Sequence, residues 1–173
     1  MEIRLASLTS GAAGAVGTTE LGRAEVAGKT LIQTTSNGTA GINAARGADR
    51  IYAGALVTAE ATMRAILRRA PTVITLVAIG RSNGTIQADG DELCTLYFRA
   101  RLEGRQPDIT AIRAVLATMP PPPDPKLVAA GVYDLKDREN AAEIDAIAFA
   151  ISVRLEGGLL IAEAERNDLQ PAS

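Results

Sequence analysis

TVITLVAI, residues 72–79, is the most strand-like stretch of this chain, nearly continuous in β-branched and apolar side chains directly after Pro71. A run without polar alternation predicts a central strand covered on both faces. Upstream, Pro71 closes a helix that Thr58 is placed to cap. That helix runs to Arg69, with Ala59, Met63, Ile66 and Leu67 at the spacing of one face. Residues 50–53 and 30–34 read as two earlier strands, joined by a short helix that turns Ile42 and Ala45 inward and stops at Arg46-Gly47. Downstream, residues 81–87 are a loop and 89–103 a helix with Leu93, Leu96, Tyr97 and Ala100 inward. A second helix covers 108–119. Four prolines at 120–123 favour an extended polyproline II segment, and 125–146 is partly helical. Residues 149–155 and 159–164 read as strands around Glu156-Gly157-Gly158, a hairpin signal. Alternation of strands and helices from 30 to 103 predicts an α/β protein. The expected architecture is three-layer α/β/α, with a mainly parallel sheet, right-handed crossovers and a C-terminal antiparallel hairpin. Residues 1–27 are a weakly patterned segment with at most one strand near Ile3, 28–165 form the domain, and 166–173 are a frayed tail. No internal repeat of 20–50 residues is visible.

A length of 173 residues suits one such domain. Hydrophobic residues make up 47%, nearly all aliphatic, since aromatics are limited to three Tyr and two Phe. A net charge of −2 gives no reason to expect nucleic acid or an anionic membrane as partner. No apolar run reaches the roughly 20 residues of a membrane span, and the first residues lack the pattern of a signal peptide. The single cysteine, Cys94, excludes an internal disulfide framework and fits a reducing, cytoplasmic compartment. There is no histidine. That removes Ser-His-Asp triads, phosphohistidine chemistry and most zinc sites. Carboxylates, hydroxyls, one thiol and backbone amides remain, a set of hard donors that suits Mg2+.

Two segments could carry chemistry. Thr34, Thr35, Ser36, Asn37, Gly38 and Thr39 stand where a strand gives way to a helix, the usual ligand position in open α/β sheets. Gly38 permits close backbone approach, and amides at a helix start favour an anion. The same residues also suit a plain capping turn, and spacing alone leaves both readings open. Asp89, Gly90, Asp91, Glu92 and Cys94 open the helix that follows the strongest strand. The acidic residues either complement the helix dipole or form a hard-metal or proton-transfer cluster. An Asp-x-Asp phosphatase motif fails, because residues 85–88 are a poor strand and Leu93 follows. A cysteine-phosphatase loop fails too, because Ala100 stands where its arginine belongs. Cys94 is open to three roles: nucleophile, pocket wall or buried filler. Arg68, Arg69 and the arginines at 99–105 read as solvated helix faces.

In order, these segments resemble the 2-phosphosulfolactate phosphatase family. Its Gly-Lys-Thr-Leu strand and Thr-Thr-x-Asn-Gly-Thr turn are similar to residues 28–31 and 34–39. Its next helix start is similar to 54–59, its Cys-Ala-Gly strand end to Ala78-Ile79-Gly80, and its Glu-Asp-x-x-Cys-Ala-Gly helix to 90–96. Its Val-Arg-x-Glu-Gly-Gly-Leu-Leu ending is similar to 149–162. The likeness covers roughly residues 26–165. Ala40, Thr58 and Gly90 depart from the family's basic residue, Asn and Glu, and residues 1–27 lack its Asp-Val-Leu-Arg-Ala-Thr-like segment. The resemblance implies a Mg2+-dependent phosphatase of coenzyme M biosynthesis acting on a small anionic phosphorylated metabolite. Substrate would be held by Thr34 to Thr39 and Gly80, Asp91, Cys94 and Asn37 would serve catalysis, and Asp91 and Glu92 would bind metal. The alternative is a non-catalytic homologue that binds a small anion or assembles structurally. Either form is expected to be a homo-oligomer, since an incomplete N-terminal lobe leaves apolar surface for a second copy to cover.

Overall fold

The computed structural model describes residues 2–7, 28, 30–32, 38–79, 90–119, 126 and 139–166. In chain order these give β1 (Glu2–Ser7), α1 (Gly38–Ala44), β2 (Ile51–Ala53), a single 3-10 turn (Leu56–Thr58) and α2 (Ala59–Leu67). There follow β3 (Val73–Ala78), α3 (Gly90–Leu102), α4 (Ile109–Thr118), β4 (Phe149–Glu156) and β5 (Leu159–Arg166).

The protein is α/β, but the described strands form two small sheets rather than one. β1 runs parallel to β3, from Glu2 opposite Val73 to Ser7 opposite Ala78. β2, β4 and β5 form a separate antiparallel sheet in the order β2-β4-β5. β2, expected beside the parallel strands, instead places Ile51 opposite Val153 and Ala53 opposite Ile151. The reason lies in the hairpin. β4 and β5 pair along their whole length, Phe149 with Arg166 to Glu156 with Leu159, and β4 still has an apolar edge to share. Gly157 (φ 58°) and Gly158 (φ 82°) both take positive φ in the two-residue connection, as a turn matched to the strand twist requires. Thr30 to Ile32 lie in no strand, and Ile32 is 99% exposed; β1 is the strand that pairs with β3.

α2 lies between the two sheets. Ala59 and Met63 join Ile74 of β3, Tyr97, Phe98 and Leu102 of α3, Ile112 of α4 and Leu56 in one buried cluster. Ala61, Thr62 and Ala65 are buried as well, and α2 packs on β4, where Ala150 is fully covered. Small residues on that side let the helix approach the sheet closely. Two inward assignments change, and one residue joins the core. Leu67 and Leu96 (55% exposed) point out, while Phe98 is buried. β3 is not covered on both faces: Ile74 and Ala78 are buried, but Val73 and Thr75 are exposed. A continuous apolar run therefore marked a half-covered strand. No described helix is long and apolar enough to cross a membrane.

Candidate functional site

α1 opens at Gly38 and Thr39, where the sequence placed a helix start. Gly41 is the buried residue of α1. A Cβ at this position would lie 2.0 Å from Ile79 Cδ1 and 2.8 Å from its Cγ1. Only glycine lets the helix rest this closely on the residue just past β3. Gly38 and Thr39, half-buried, thus sit beside the carboxyl end of β3. Thr34, Thr35, Ser36, Asn37 and Gly80 lie outside the described residues, as does Asp89.

α3 leans on the same strand. It carries Asp91 and Glu92 in its first turn, Asp91 exposed and Glu92 half-buried. The Asp91 carbonyl accepts a hydrogen bond from Thr95 Oγ1 at 2.7 Å. Cys94, one turn in, packs against the buried cluster. Burial, reinforced by the Asp91 carboxylate, pushes its thiol up to about 12. At neutral pH Cys94 is therefore a protonated thiol. That outweighs the lowering a helix N-terminus gives and favours the packing role over the nucleophilic one. Among the described residues no three His, Cys, Asp or Glu side chains group closely enough to hold a metal. Asp91 and Glu92 bring two hard carboxylate donors into the first turn of α3.

The densest polar cluster lies elsewhere and joins three segments distant in sequence. Tyr97 is 2% exposed, yet its O–H donates to Asp145 Oδ2 at 3.1 Å and accepts from Arg101 Nη1 at 2.8 Å. Arg101 Nη2 donates to Glu60 Oε2 at 2.5 Å, and Arg64 Nε donates to Glu60 Oε1 at 2.7 Å. Asp145 Oδ1 accepts from the Glu60 backbone N–H at 2.6 Å. Asp145 thereby caps α2. Thr58, in the cap position, makes no side-chain cap bond; it is bent into the 3-10 turn, where its hydroxyl donates to Ala55 O at 3.3 Å. Partial burial opposes ionisation of Glu60, but the Arg64 hydrogen bond and the Arg101 charge hold its carboxyl below the usual value. Burial, then the Asp145 carboxylate, raises the Tyr97 phenol.

Arg68 and Arg69 are not simply solvated either. Both bind Glu165 Oε1, at 3.1 and 3.3 Å. Tyr52 O–H donates to Glu165 Oε2 at 3.1 Å, tying the end of α2 to β2 and β5. The sequence held no signal for these clusters, because their members are scattered charges and phenols without a shared motif. All are satisfied: among the described residues no buried side-chain N or O lacks a partner. They hold the frame of the fold.

A family model described as 2-phosphosulpholactate phosphatase matches residues 18–121 of the chain. The match takes in the segments at 28–31, 34–39, 54–59, 78–80 and 90–96, and it stops short of the hairpin at 149–162. Among curated proteins and solved structures, none matches the chain.

Proposed function

Since the chain belongs to the 2-phosphosulpholactate phosphatase family, we propose that it hydrolyses a small anionic phosphomonoester with Mg2+, converting 2-phosphosulfolactate and water to sulfolactate and phosphate. The observation that carries this reading is the family match, which spans both site segments, 34–39 and 90–96. The packing of α1 and α3 on one strand is compatible with it.

Backbone amides and hydroxyls of Thr34, Thr35, Ser36, Gly38 and Thr39 hold the phosphoryl oxygens, with Gly80 leaving room at the strand end. The Asn37 amide donates to an oxygen on which charge builds in the transition state. Asp91, directly or through water, and Glu92 would hold Mg2+, which when bound would offset charge on the phosphoryl group. Water adds to phosphorus as the ester P–O bond breaks; one water proton ends on the departing hydroxyl and the other stays on the phosphate. Cys94 lines the wall. The substrate class is a phosphorylated metabolite, and the single cysteine accords with a cytoplasmic setting.

Phosphate release from a panel of phosphomonoesters tests this. Turnover should vanish with a chelator and return with Mg2+. Asp91→Asn should lower kcat at least about a hundredfold, by the scale of losing one preorganised electrostatic partner, whereas Cys94→Ala should stay within a few-fold of the unaltered chain. No turnover above background on any substrate would exclude the catalytic reading.

A further inference from the structure

β5 has β4 as its one neighbouring strand among the described residues. The hairpin fixes which backbone groups that leaves over. Glu156 and Leu159 close the two-residue turn as a hydrogen-bonded pair, so alternation along the ladder turns the N–H and C=O groups of Leu160, Ala162 and Ala164 away from β4. The same three residues share a face with Ile51, Ala53, Ile151, Val153 and Leu155, because paired residues point to one side. α2 is on the opposite side, where Ala150 is covered and Tyr52 and Glu165 meet Arg68 and Arg69. On this face Val153 is buried and Ile51, Ala53 and Ile151 are half-buried, while Ala162 and Ala164 at the edge are both exposed.

We propose that this edge pairs with β5 of a second copy, antiparallel, about a two-fold axis at Ala162. A two-fold pairing with both faces kept in register allows only a few alignments, and those centred on Leu160 or Ile161 pair only residues 159–161 or 159–163 of β5. Centred on Glu163 it sets that carboxylate against its own copy. Centred on Ala164 it sets Glu163 against Glu165 of the other chain. Like charges directly opposite are destabilising. Centred on Ala162 it sets Leu160 against Ala164, Ile161 against Glu163 and Leu159 against Glu165, so no like charges face each other. Both carboxylates are already held by arginines of their own chain, Glu163 by Arg154 at 3.1 Å and Glu165 by Arg68 and Arg69. Their presence on the edge thus leaves no unneutralised charge at the contact. Leu159, 69% exposed, gains cover from the aliphatic stem of the opposite Glu165. The product is a six-stranded antiparallel sheet. A strand-edge contact stands near the lower limit of stable interfaces, about 1,000 Å² in total, so dimer should build up over micromolar concentrations.

Sedimentation velocity of the full chain from about 1 to 200 µM should show a monomer–dimer shift. Ala162→Pro removes the outward N–H at the axis without touching the ladder to β4, and should leave a monomer of unchanged melting temperature. Should Pro fail to fold, Ala162→Cys should form an intermolecular disulfide on mild oxidation, because residues facing across such a pair lie within disulfide reach. Thr110→Cys on α4 should not. A strict monomer over that range, or a dimer that survives Ala162→Pro and gives no crosslink at 162, overturns the proposal.

Discussion

Asp145 sits in the left-handed region at φ 58°, a conformation that costs a non-glycine residue roughly 1 kcal/mol or more. It is kept there because one carboxylate serves two partners, the first turn of α2 and the Tyr97 hydroxyl. Asp145→Ala should lose the cap and the phenol's acceptor together, lowering stability by about 2 kcal/mol in denaturant unfolding. Asp145→Asn tolerates the same backbone and keeps an acceptor, so it should cost about half as much. At Cys94 the raised thiol sets a different expectation. With its value near 12, alkylation by iodoacetamide at pH 8 should run on the order of a thousandfold slower than for an exposed cysteine. The folded state favours the neutral thiol, so this group's contribution is present at neutral pH and is lost as pH rises above the ordinary thiol value. The position of Cys94 on a helix face was legible from spacing. Its protonation state was not, because that depends on what α3 packs against.

Element by element, the strongest local signals held. β3, α2, α3, α4 and the β4–β5 hairpin form close to where periodicity and turn residues put them. What failed was pairing. β2 has three residues, too few for its sequence to declare a partner, and the hairpin recruited it from a distance. The outward turn of Leu96 and inward turn of Phe98 likewise reflect where α3 lands, since both fit an apolar stripe on spacing. Gly41 belongs at this scale, because it fixes α1 to the end of β3. Gly41→Ala gains about 1 kcal/mol of helix propensity but forces Ile79 to move, at about 1–3 kcal/mol for overpacking. Lower stability is therefore expected. Ile79→Val removes the atom that would lie 2.0 Å away, so the double variant should recover most of the loss. Melting temperatures of the two single variants and the double one measure the contact.

For the molecule as a whole, charge networks supply the joints between sheets and helices. Glu60 is held below its ordinary value, so its contribution is fully present at neutral pH and is lost as pH falls from the ordinary carboxylate range through the lower folded value. Acid titration followed by circular dichroism should show that loss, and Glu60→Gln should flatten it while lowering stability at pH 7. The site itself was legible as a turn before a helix and an acidic helix start, both explicable by their amides and dipoles. That α1 meets Ile79 and α3 packs on β3 needed the fold. The cap of α2 also has a temporal side. Asp145 follows Glu60 by 85 residues, and β4, which covers the other side of α2, comes later still. At about 5–20 residues per second, a nascent chain spends roughly 4–17 seconds with α2 begun but its first turn unsatisfied. α2 should thus remain open to amide exchange on arrested ribosomes until residues beyond 156 have emerged. The last quarter of the polypeptide, outside the family match, decides when the middle becomes native.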